Sequence, residues 1–223
     1  VGSEMCIRDR RVLGFLALVA RDPAVRKEAA KRGRAYVGFK GDGAIHPEAV
    51  DANLAGLALS VAVQEGDAAL FDALVARLGT EEDSLVRGRL LAALGSTTDP
   101  ALATRALELS LTPAVRVSEA QSVLWSELEQ VETRDAAWAW LVANLDQVVS
   151  RVAPRRTGSL PWAASSFCDE TRAAEVERVF APRIATLEGG PRNLAGAVES
   201  IRLCAARRGA QEESLRAFFD EAR

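Results

Sequence analysis

The sequence predicts an all-α fold, a curved and irregular stack of about a dozen helices joined by short loops. Three observations carry this. Alanine, leucine, arginine and glutamate abound, while strand formers are scarce, with one tyrosine and only Ile7, Ile45, Ile184 and Ile201 as isoleucines. Apolar residues return at helical intervals in segment after segment. Proline and glycine stand where helices start and stop. With 48% hydrophobic and 26% charged residues over 223 positions, the chain has enough apolar surface for a sizeable core and is not disordered.

Taken in order, residues 1–10 (VGSEMCIRDR) carry no helical stripe, begin on valine and hold the only methionine, Met5; they read as a non-native or disordered end of a fragment. Residues 12–20 (VLGFLALVA) are too short to span a bilayer. They read as a buried helix rather than a signal-peptide core, because Leu18-Val19-Ala20 fits small-residue cleavage poorly. Helix starts are predicted at Asp22-Pro23, His46-Pro47, Asp99-Pro100 and Thr112-Pro113, where a polar cap precedes a proline suited to the first turn. Helix ends are predicted at Gly66, Gly79, Gly95, Gly189-Gly190-Pro191 and Gly209, since glycine tolerates the positive φ that closes a last turn. The acidic run Glu81-Glu82-Asp83 falls in a first turn after Thr80, where the helix dipole favours it. Later stripes are Val117, Ala120, Leu124, Leu128 and Val131; then Trp138, Leu141, Val142, Leu145 and Val149; then Val176, Val179, Phe180, Ile184 and Leu187; and last Leu194, Val198, Ile201 and Ala205. The two longest breaks, 38–45 and 151–159, are followed at once by amphipathic segments. They read as turns inside one domain over 11–223.

Composition also excludes chemistry. A net charge of −3 supplies no field to attract nucleic acid or an anionic bilayer. Cys6, Cys168 and Cys204 are widely spaced, so a secreted disulfide scaffold is not expected, and Cys168 and Cys204 read as small core residues. One histidine, His46, cannot supply the two imidazoles of a zinc-binding HExxH helix, and as a loop residue before Pro47 it is given no catalytic duty. The GFKGDG run at 38–43 lacks the strand and the GK[ST] ending of a phosphate loop and reads as a turn. Arg155-Arg156, with Arg151 one turn earlier, and Arg207-Arg208 read as solvated helix ends rather than anion grips. Of the four tryptophans, Trp125, Trp138, Trp140 and Trp162, Trp138 lies on an apolar stripe and is placed in the core; Trp140 points elsewhere, against a neighbouring helix. No residue is assigned a catalytic or metal role. Substrate-binding residues are not readable, and Arg116, Arg192 and Arg155-Arg156 are the charged positions to mutate first.

Several runs have a recognisable order: DPAVRKEA (22–29), HPEAVDANLAGLALSVAVQEGDAALFDALVARL (46–78), LLAALGSTTDPALATRALELSL (90–111), PAVRVSEAQSVLWSEL (113–128) and AWAWLVANLDQVVSR (137–151). An F-C-[DST]-x5-E-V element follows at 167–176, and an R-x-L-x4-E-x-I pattern at Arg192, Leu194, Glu199 and Ile201. Together they resemble the C-terminal helical domain of the M1 zinc aminopeptidases, called ERAP1-like, over residues 11–219. Glu119 stands where the family's V-R-x-x-D element has aspartate. The resemblance implies a HEAT- or armadillo-like superhelical bowl that closes over a catalytic domain and encloses a chamber for peptides. Zinc and catalysis would belong to the parent enzyme, because the family's HExxH and G-x-M-E-N motifs do not occur in these residues. The implied partners are the catalytic domain of the same polypeptide and the distal part of a peptide substrate, with no nucleic acid and no membrane span; the compartment stays open. The alternative is a free-standing helical-repeat scaffold that binds a protein on its concave surface.

Overall fold

A computed structural model describes residues 10–221, and it is helical throughout, with no strand among the described residues. Residues 10–14 are α-helical and pass into a π-helical turn at Phe15–Val19. The α-helices that follow are α1 (Pro23–Tyr36), α2 (Ala55–Gln64), α3 (Ala68–Thr80), α4 (Ser84–Leu94), α5 (Pro100–Ser110), α6 (Ser122–Glu129), α7 (Arg134–Ala143), α8 (Leu145–Arg151), α9 (Pro154–Thr157), α10 (Glu170–Phe180) and α11 (Gly190–Glu221). Short 3-10 turns lie at Pro47–Ala49, Leu160–Ala164 and Ile184–Thr186. The chain divides into two compact units inside α7, one ending at Ala137 and the other beginning at Trp138.

Aspartates start five of these helices. Asp22, Asp67, Asp83, Asp99 and Asp169 each accept hydrogen bonds from backbone N–H groups of the following turn, so the otherwise unpaired donors of a helix start are satisfied. Asp22-Pro23 and Asp99-Pro100 open α1 and α5 as the sequence predicts. The other two proline pairs do not open α-helices. Pro47 begins only a 3-10 turn, and residues 111–121 after Thr112-Pro113 run as turns up to α6. Consequently Val117 and Val131, expected on a buried stripe, lie outside α6 and are exposed. The acidic run 81–83 precedes α4, with Asp83 as its cap and the Glu81 carboxylate accepting from the N–H groups of Glu82 and Asp83.

In the first unit α1 packs on α2, α2 and α3 pack on α4, and α6 packs on α4 and α5. Tyr36, Leu59, Leu70, Phe71, Leu74, Leu90, Leu91, Leu94 and Leu124 form its core. Contact between α1 and α2 is close: a Cβ on Gly33 would lie 2.2 Å from the Ala58 carbonyl oxygen, so only glycine fits there. In the second unit α11 packs on α10 and on both 3-10 turns. The core there gathers around Trp138, whose ring stands edge-on to Phe167 at 6.0 Å and tilted to Phe180 at 6.4 Å. Trp140 is half-buried.

Three expectations are corrected. Residues 12–20 are not buried: Ala17 alone is, while Val12, Phe15, Leu18 and Val19 are exposed. Cys168 and Cys204 are not separate core residues but form a disulfide with Cα atoms 5.0 Å apart. Gly209 does not end a helix, because α11 runs on through it to Glu221. Gly95 does stand at the end of α4, and Gly189, at φ 68°, precedes α11. Of the stretch 1–10 read as a non-native end, residues 1–9 lie outside the described residues and Arg10 is helical.

Candidate functional site

The densest polar arrangement of the first unit is centred on Arg87 of α4. Its guanidinium donates to both oxygens of Glu119, at 2.7 and 2.8 Å, and to the carbonyls of Leu78, Glu81 and Ala114. Glu119 also accepts from the Arg116 N–H. Hydrogen bonding to Arg87 holds the Glu119 carboxyl below the usual glutamate range, and the same bonds raise Arg87. Every donor of this fork is directed at protein oxygens, so the arrangement secures the turns at 111–121 to α3 and α4 rather than gripping a ligand. Arg116 is exposed and extends a long 3.3 Å contact to the Glu82 carbonyl.

An apolar groove of about 460 Å³ opens on the same unit, lined by Leu13, Val25, Ala29, Val50, Leu54 and Leu57. The Glu28–Arg32 ion pair of α1 sits on its rim. The exposed Val12, Phe15, Leu18 and Val19 lie on the segment that contributes Leu13. A lining with so few polar groups offers nothing to orient a reacting substrate, but it suits an apolar surface of another protein segment.

Glu127 of α6 is fully buried, and neither carboxyl oxygen has a hydrogen-bond partner among the described residues. Desolvation raises its pKa to about 9, so the folded protein holds it protonated at neutral pH. Sequence reasoning missed it; its position three residues after Leu124 and next to Leu128, on the buried face of α6, was the available signal.

The residues weighed in the sequence are distributed as follows. His46 closes the turn at 38–46: Nε2 lies 2.9 Å from Asp42, Nδ1 lies 3.2 Å from Glu48, and the Asp42 contact foremost raises its pKa. Positive φ at Gly38, Lys40 and Gly43 shapes that turn. Arg155 and Arg156 are exposed on α9, Arg192 is exposed in the first turn of α11, and Arg207-Arg208 are exposed farther along the same helix. Trp162 donates through Nε1 to Asn193 and packs against Gly196, which makes it a clamp on α11. No cluster of three or more His, Cys, Asp or Glu able to hold a metal occurs among the described residues, and no helix among them is long and apolar enough to cross a membrane.

Comparison with known proteins adds two findings. Residues 3–203 match the family model described as the ERAP1-like C-terminal domain. The chain is also similar to Aminopeptidase M1-B of Oryza sativa subsp. japonica, 31% identical over 151 residues that make up 67% of this chain and 17% of that protein. The aligned part is thus about a sixth of that relative's length.

Proposed function

Because the chain belongs to the family of ERAP1-like C-terminal domains, found in enzymes such as the M1 aminopeptidase it resembles, we propose that it is the non-catalytic helical part of a zinc aminopeptidase, walling a peptide chamber and contacting the distal end of the substrate. The observation that carries the reading is the family match over 201 of the 223 residues, 3 through 203. Two features of the chain support it. A single histidine leaves the chain without an HExxH helix of its own, so zinc and its chemistry belong to the remainder of the polypeptide. The apolar groove beside residues 10–14 is a surface against which that remainder can pack, with the Glu28–Arg32 ion pair at its rim. On this reading the chamber-facing residues select peptides by shape and charge, while the attack on the peptide bond happens elsewhere.

The test is an aminopeptidase assay on the purified chain, with zinc supplied. We expect no release of N-terminal amino acids from peptides, whatever the zinc concentration. Zinc-dependent turnover that survives repurification would place the chemistry in this chain and contradict the assignment.

A further inference from the structure

Helix α11 is 32 residues long, yet its buried residues, Gly190, Ala197, Val198 and Ile201, all fall in its first half. From Ala206 onward no neighbour among the described residues covers it: residues 206–221 are all exposed. The buried face nevertheless continues. Leu215 lies eighteen residues after Ala197, and Phe219 eighteen after Ile201, which is five full helical turns in each case. Those two side chains are 52% and 61% exposed, and Phe218 beside them is 64% exposed. A solvated helix of this length with a glycine inside it is marginal in water, so three large apolar side chains on one side call for a partner.

The charges along the same stretch indicate which partner. They run positive at Arg207-Arg208, negative at Glu212-Glu213, positive at Arg216 and negative at Asp220-Glu221. Reversing the helix about Ser214 sets Arg207 level with Glu221, Arg208 level with Asp220, and Glu212 level with Arg216. Arg208, Gln211 and Glu212 border the face of Leu215 and Phe219, so charged side chains flank the apolar ones there. A parallel pairing would instead set each charge against its own kind. We infer that the projecting half of α11 is an isologous docking surface for a second copy of this chain, paired antiparallel about Ser214. This goes beyond the chamber-wall reading and does not depend on it.

Sedimentation equilibrium of the full chain between micromolar and submillimolar concentrations tests the inference. The wild type should show a monomer–dimer equilibrium. Phe219→Glu, at an exposed position that the monomer fold does not use, should raise the dissociation constant at least tenfold without changing the circular dichroism of the chain. Arg207→Glu/Arg208→Glu should also weaken the dimer, and adding Asp220→Arg/Glu221→Arg in the same chain should restore it. A monomer at every concentration would overturn the inference, as would a dimer indifferent to Phe219→Glu or a charge-reversed quadruple variant that stays as weak as the double one. A dimer abolished by Val25→Glu but not by Phe219→Glu would move the second copy to the apolar groove and overturn it equally.

Discussion

Desolvation raises the carboxyls of both Glu119 and Glu127, but at Glu119 the hydrogen bonds from Arg87 outweigh it and the two groups shift in opposite senses. Glu119 is held ionised by Arg87, so its stabilisation is present above the unfolded glutamate pKa and is lost as pH falls through its lowered folded value. Glu127 is held protonated by its apolar surroundings. Between the ordinary value of 4.5 and about 9, the unfolded chain has released this proton and the folded chain keeps it, so stability falls as pH rises and levels off above 9. The limiting slope from one such group is about 1.4 kcal/mol per pH unit. Glu127→Gln should therefore flatten the decline in urea-unfolding free energy between pH 5 and pH 8, and an unchanged slope would show that Glu127 is ionised in the folded protein. Arg87→Ala should cost about 3 kcal/mol in the same measurement, because the largely covered Glu119 carboxylate loses its cation and the carbonyls of Leu78, Glu81 and Ala114 lose their donor. Neither role was legible in the sequence. Arg87 is one of many arginines on a helix, and its partner lies 32 residues away across turns that periodicity describes poorly.

At the scale of elements, the sequence is most legible where local chemistry settles the outcome. Asp22-Pro23 and Asp99-Pro100 carry both a side-chain acceptor and a fixed φ, and both begin helices. Thr112-Pro113 has the same form but no helix, because Val115, Glu119 and Ala120 are drawn to the core and to Arg87 and the segment folds as turns. Gly209 reads as a stop in the sequence, yet a glycine flanked by good helix formers and not needing positive φ costs a helix only about 1 kcal/mol, and α11 continues. The Cys168–Cys204 disulfide was illegible for a different reason: spacing cannot reveal that α10 and α11 pack side by side and bring the two residues together. It closes a 36-residue separation and ties the entry of α10 to the middle of α11. Cys168→Ser/Cys204→Ser should lower the stability of the second unit by about 3 to 4 kcal/mol in denaturant unfolding. Equal stability in the presence and absence of reductant would show that the bond contributes nothing.

At the scale of the whole molecule, composition excluded more than it identified. A modest negative charge and abundant alanine and leucine point to a helical protein, and any helical scaffold shares those traits. The ordered motifs, and then the family match over residues 3–203, separate this chain from that general class. The apolar groove and the bare half of α11 were invisible in the sequence, since an apolar residue on a helix stripe looks the same whether a neighbour covers it or not. Both are surfaces that the chain leaves for something else to fill.

The central claim is that these helices serve a zinc aminopeptidase encoded in the same reading frame, and the DNA upstream of the Val12 codon tests it most directly. We expect that frame to continue and to encode HExxH, followed by the distant glutamate that completes a zinc site. A stop codon with a genuine initiator just upstream of Val12 would contradict the account.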